Sequence, residues 1–197
     1  DMIAPLRGGT HVGNWMMRDP QGEWFGVGAT GKGTLWVRVL VNYITPEEAQ
    51  VEGTEPANCG SERNTAYENE ILSLVNTARS NSGLPALTAT DTLIQAALAH
   101  SEDMACNDFV DHTGTDGSLW YDRITQAGYV YTTAKENIYV GNPDFIGTPS
   151  GAFNWWMNSK IHRENILSDD ITEIGIAYVF NANSTYGGYY TIVFARP

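Results

Sequence analysis

The sequence predicts an α/β protein: a three-layer α/β/α sandwich over residues 65–197, preceded by a small β-rich module. Three observations carry this. Ile71, Leu74, Val75 and Ala78 recur at the spacing of one helix face. Ile174–Phe180 and Tyr189–Ala195 are β-rich and flank the Asn- and Gly-rich segment Asn181–Gly188, so they form an antiparallel hairpin. Residues 12–44 break into short runs of Val, Trp, Phe and Met punctuated by turn residues. Helices alternating with directly joined strands need a sheet with helices on its faces.

The elements follow in order. Val12–Arg18, Glu23–Val27 and Leu35–Val39 read as strands, separated by Asp19-Pro20-Gln21-Gly22 and Thr30-Gly31-Lys32-Gly33. Residues 46–64 are polar, with Pro, Gly and glutamates, and read as a linker. The first long helix begins near Thr65 and stops at Gly83, with Pro85 beyond it. Thr90 or Asp91 caps the next helix, whose face is Leu93, Ala96, Ala97, His100 and Met104. A loop through Phe109–Gly117 carries His112. Ser118–Ala127 is a short helix bearing Leu119, Arg123 and Ile124, closed by Gly128. Tyr129–Val140 is β-rich and carries Glu136. Pro149 suits a first helical turn, with Phe153, Trp156 and Met157 on the core face.

The formal net charge is -12. Such a surface repels phosphate backbones, which excludes nucleic acid as a direct partner. No apolar run approaches the ~20 residues of a membrane-spanning helix, so no transmembrane segment is expected. Cys59 and Cys106 are the two cysteines. An even count in a Trp-, Tyr- and Asn-rich chain with few lysines suggests one disulfide and an extracellular setting. Two unrelated buried thiols are the alternative.

Three stretches concentrate the chemistry: Asp111-His112-Thr113-Gly114, Glu136-Asn137-Ile138 and His162-Arg163-Glu164-Asn165-Ile166-Leu167. If His112, Glu136 and His162 converge, they can hold a divalent metal, zinc foremost, with an open position for water. They can equally act as an acid/base set, with Glu136 and His162 as the catalytic pair. Ser159 lies three residues before His162, so a Ser159/His162/Glu136 triad is conceivable, although no nucleophile elbow surrounds the serine. A hydrogen-bonded polar cluster bracing two loops is the plain alternative. His100 reads as a core histidine and His11 as a surface one. Asn137, Arg163 and Asn165 read as loop braces. Asp108, Asp111, Asp169 and Asp170 read as solvated acids rather than calcium ligands. Asn183-Ser184-Thr185 has the form of a glycosylation acceptor.

These motifs, in this order, resemble the CAP superfamily (cysteine-rich secretory, antigen 5 and pathogenesis-related proteins) in its bacterial form. The resemblance runs from about Tyr67 to Ala195. It rests on Leu74-Val75-Asn76-x-x-Arg79, Gly83-Leu84-Pro85-x-Leu87, Ala96-Ala97-x-x-His100-Ser101-x-x-Met104 and Phe109-x-x-His112-Thr113. It continues through Glu136-Asn137-Ile138, Trp156-Met157-x-Ser159-x-x-His162-Arg163-x-Asn165-Ile166-Leu167, Glu173-Ile174-Gly175-Ile176-Ala177 and Tyr190-Thr191-x-Val193-Phe194. Asp19-Pro20-Gln21-Gly22-Glu23-Trp24 with Leu35-Trp36-Val37 resembles the second half of a bacterial SH3-like domain, making residues 1–45 a partial module of that kind.

The resemblance implies a secreted α/β/α sandwich with one open cleft. In animal and plant members the cleft holds two histidines and two acidic residues. His112 and Glu136 carry over. The other histidine falls on Tyr189 and the second acid near Asn158-Ser159, while in the bacterial form His162 faces the cleft. The expected cleft is therefore His112, Glu136, Ser159, His162 and Tyr189, taking a small-molecule, lipid or glycan ligand. The β-module would attach the protein to a cell wall or a protein partner. A metal-dependent extracellular hydrolase and a structural, self-assembling protein are the alternatives.

Overall fold

The computed structural model describes residues 59–197 throughout and, ahead of them, four strands: Gly9–Trp15 (β1), Met17–Arg18 (β2), Trp24–Phe25 (β3) and Leu35–Val41 (β4). β1 and β4 pair antiparallel from Gly9↔Val41 to Trp15↔Leu35. β2 and β3 pair through Met17↔Phe25 and Arg18↔Trp24. The three strands expected in this stretch overlap these four. The two turns expected between them, most of the linker and the closure of an SH3-like barrel lie outside the described residues. The chain divides into two units, residues 1–57 and 58–197.

The second unit runs Glu62–Arg63 (β5), Thr65–Asn81 (α1), Thr88–Ala89 (β6), Asp91–Asn107 (α2), Trp120–Gln126 (α3), Thr133–Gly141 (β7), Pro149–Asn158 (α4), Lys160–Ile166 (α5), Glu173–Phe180 (β8) and Gly188–Arg196 (β9). The sheet order is β5-β8-β9-β7, with β6 also on β8. Only β6 is parallel to its neighbour. Thus the end of the stretch read as a linker is a strand: Glu62 and Arg63 pair with Phe180 and Val179.

Alternation along β8 and β9 distributes the core. Ile174, Ile176, Tyr178, Tyr190, Ile192 and Phe194 face one side, packing with Ile71 and Val75 of α1 and Ala152 and Trp156 of α4. Ala177, Val193 and Ala195 face the other, against Leu93, Ala96 and Ala97 of α2 and Ile124 of α3. Helices therefore cover both faces. Gly175 sets how closely α2 approaches: a Cβ there would lie 2.1 Å from the Leu93 carbonyl carbon.

Local chemistry places the helix ends. The Asn64 side chain accepts from the Ala66 and Tyr67 amides and starts α1. Gly83, at φ +72°, follows its end. The buried Arg79 guanidinium donates to the carbonyls of Pro85, Ile166 and Ser168, tying α1 to the chain after α5. Thr148 accepts from the Gly151 amide to cap α4, with Pro149 at its first position. Thr90 sits at the N-cap of α2 but makes no capping bond, and its hydroxyl is buried without a partner.

β7 lies at an edge of the sheet. Two of its carbonyls are met by side chains: Trp156 Nε1 donates to Ile138 O and Asn165 Nδ2 to Glu136 O. An exposed strand edge invites pairing with another chain, and such caps occupy it.

Candidate functional site

The site gathers where β7 meets α3 and the loop after α2. His112 lies in that loop. His100, fully buried on α2, positions it by donating from Nε2 to the Asp111 carbonyl at 2.8 Å. The core role expected for His100 is the one it has, and burial lowers its pKa. Asp103 on α2 fixes the far side of the loop by accepting from the Thr115 amide and hydroxyl.

His112 Nδ1 donates to Glu136 Oε1 at 2.7 Å. The other oxygen, Oε2, accepts from Arg123 Nη2 on α3 at 2.8 Å. Arg123 also donates to the carbonyls of His112 and Ser118. The Glu136 side chain is 1 % exposed and that of Arg123 6 %, whereas His112 is 43 % exposed. A buried carboxylate is thus neutralised by a buried guanidinium, and it holds a half-open imidazole. Nδ1 is taken up by Glu136, so Nε2 is the ring nitrogen of His112 outside that bond. Trp120 packs edge-on to His112, at 6.1 Å between ring centroids.

His162 arrives from the other side. Ser159 ends α4 and begins α5, and its hydroxyl bonds His162 Nδ1 at 2.7 Å. Trp155, 49 % exposed, lies against the His162 ring at 4.8 Å. Asn137 donates to the His162 carbonyl, and Asn165 donates to Asn137. Arg163 donates to the Met157 carbonyl. These three side chains brace backbone, as their types suggested, but the backbone is that of α5, α4 and β7 rather than of loops. Burial lowers the His162 pKa, and the nearby His112 lowers it further.

Of the expected cleft residues, His112 and Glu136 come into contact, and Ser159 and His162 come into contact. His162 makes no hydrogen bond to Glu136, whose two oxygens are already engaged, so no Ser159/His162/Glu136 triad forms. Tyr189 lies elsewhere: it is fully buried beneath α2 with Met104 and Val179, and its hydroxyl donates to Asp108. Asp108 also accepts from the Thr185 amide and hydroxyl, and Asp170 pairs with Lys135 and Ser168. These acids secure loops.

A three-ligand metal centre does not fit these residues. Glu136 is committed to Arg123 and His112, leaving two imidazoles as protein donors. Among the described residues no group of three His, Cys, Asp or Glu is arranged to hold a metal ion. Arg123 is the functional residue that sequence reading assigned only to a helix. Its signal was a cation on the same helix face as Leu119, beside Ile124, a position that calls for a buried anionic partner.

Cys59 and Cys106 form a disulfide. No helix among the described residues is long and apolar enough to cross a membrane.

This two-sided α/β fold matches a known class. Residues 72–194 fit the CAP family model, the cysteine-rich secretory protein family, and the chain belongs to that family. The protein YkwD of Bacillus subtilis is 34% identical over 138 residues, 70% of this chain and 52% of that protein. The B. subtilis membrane protein YlbC is 32% identical over 57% of this chain and 31% of its own length. The chain therefore spans about half or less of these relatives. A solved extracellular protein of Bacillus anthracis containing an SCP domain matches with TM-score 0.58 and 25% identity, over 82% of this chain and 47% of that one. An outer surface protein of Borrelia burgdorferi matches in fold, with TM-score 0.61 and 19% identity, over 69% of this chain and 98% of that one.

Proposed function

We propose that this chain is an extracellular CAP domain that binds a small ligand between His112 and His162. One observation carries the reading. Each imidazole is fixed at Nδ1, His112 by Glu136 and His162 by Ser159, so both Nε2 edges remain for a ligand. Fixing one ring nitrogen sets the orientation of the other and lowers the entropy lost on binding. The disulfide and the extracellular or surface setting named for two solved relatives support an extracellular location.

Ligand retention tests this. Native mass spectrometry of the purified chain is expected to find a bound small molecule that His112→Ala and His162→Ala each lose. Equal retention in both variants would overturn the reading. Metal content measured alongside is expected to stay below one equivalent, because two imidazoles lack a third protein ligand.

A second reading, an extracellular hydrolase, is favoured by the His112–Glu136 dyad. A carboxylate-oriented imidazole is a general base, with Glu136 holding the tautomer rather than taking the proton itself. Turnover of ester, peptide or glycan substrates, reduced at least about 100-fold by His112→Ala, is the expected sign of that chemistry.

A further inference from the structure

The Cys59–Cys106 disulfide joins the chain just ahead of β5 to the last turn of α2, and its two sulfurs stand in unlike surroundings. Cys106 is exposed, whereas Cys59 is half-buried. Against Cys59 lies the buried Asn181. Its Nδ2 directs one hydrogen to the Ala105 carbonyl at 2.8 Å and the other to Cys59 Sγ at 3.6 Å. The orientation of this amide is fixed, since its Oδ1 accepts from the Asn183 backbone amide at 2.9 Å.

Cys106 has the opposite setting. It is the last residue but one of a 17-residue helix, at the negative end of the helix dipole. Asp108 follows, and the hydrogen bonds it accepts from Thr185 and Tyr189 hold its carboxyl below the usual carboxylate range. Glu102, one turn earlier, is countered by Arg63. The Ser61 hydroxyl stands 4.0 Å from Cys106 Sγ, a longer contact than Asn181 makes with Cys59. A thiolate gains from a nearby donor and loses beside negative charge. Negative charge on sulfur is therefore favoured at Cys59 and disfavoured at Cys106.

We propose that Cys106 is a site of covalent attachment for small thiols, with Cys59 as the leaving sulfur. An incoming thiolate attacks the exposed Cys106 Sγ and forms a mixed disulfide there. The Cys59–Cys106 bond breaks, and its electron pair goes to Cys59, where the Asn181 amide steadies the thiolate. A dithiol completes the exchange: its second thiolate attacks the first sulfur and expels the Cys106 thiolate. The dithiol is oxidised to its disulfide, and the protein takes up two electrons and, on protonation of the thiolates, two protons. Exposure of the attacked sulfur and a stabilised leaving group both speed such exchange. The product keeps β5 on β8 but has lost the covalent tie between residue 59 and α2.

The full oxidised chain, treated briefly with excess 2-mercaptoethanol, quenched with acid and mapped by peptide mass spectrometry, tests this. The adduct is expected on Cys106, at least about fivefold more than on Cys59. Asn181→Asp keeps the acceptor for Asn183 but replaces the donor facing Cys59 with a carboxylate oxygen. It is expected to slow the reaction about fivefold. Unfolding would have the contrary effect, because it exposes both sulfurs. Adduct on Cys59, or on both cysteines alike, would overturn the proposal. So would an undiminished rate in an Asn181→Asp chain that keeps the wild-type amide spectrum. If that variant does not fold, the map on the unaltered chain decides.

Discussion

Glu136 has both carboxylate oxygens engaged, and this governs what its neighbours do. Truncating one partner of a buried ion pair leaves an uncompensated charge. Arg123→Met is therefore expected to lower stability by about 3–5 kcal/mol in chemical denaturation, far more than loss of a surface arginine. His100 and His162 both have pKa values lowered from 6.5, chiefly by burial. The unfolded chain then binds more protons than the folded one once the pH falls below 6.5. Stability is full above that value and declines as the pH drops through the folded-state values. Unfolding midpoints measured above and below pH 6.5 should show this decline, and His162→Gln should make it shallower. A midpoint that rises on acidification would contradict both assignments. At this scale the sequence was partly legible. His112 and Glu136 could be paired because their flanking motifs named them, and Ser159 could be paired with His162 from spacing alone. Arg123 was placed on its helix without its partner Glu136, and Tyr189 was set in the cleft rather than beneath α2, because these contacts depend on which sheet face each residue meets, which no local pattern encodes.

Among the elements, the contact of α2 with β8 is the tightest. Gly175 has no side chain because the Leu93 backbone occupies its place. Gly175→Ala is expected to cost about 3 kcal/mol or more, the upper end of overpacking effects, and to lower the thermal midpoint accordingly. A near-neutral result would mean that α2 can shift away freely. The hairpin of β8 and β9 was legible because apolar residues fill both faces of two runs joined by Asn and Gly. β5 was not, because two polar residues carry no periodicity. Its existence follows from Arg63 meeting Glu68 and from pairing with β8. α5 was likewise not assigned as an element, although its residues continue directly from α4 through Ser159.

For the whole domain, the disulfide is the longest-range covalent constraint. It joins residues 47 apart, and in the chain-entropy model closing such a loop contributes about 4 kcal/mol. Cys59→Ser with Cys106→Ser should lower stability by up to about that amount in denaturant titrations. The cysteine count made the disulfide legible, and helix faces made the layers legible. How His112, Glu136 and His162 are arranged was not, since that depends on contacts between α3, α5 and an edge strand.

The same bond also determines where tension enters the fold. A pull on the chain ahead of Cys59 crosses the disulfide to Cys106 and bypasses β5, α1, β6 and most of α2. The load then arrives six residues before His112, so the loop bearing that imidazole is first in the force path. In single-molecule stretching, the reduced chain should release about 160 Å more contour length than the oxidised one. Under oxidising conditions, the loop that presents His112 is thus mechanically coupled to whatever the preceding chain is attached to.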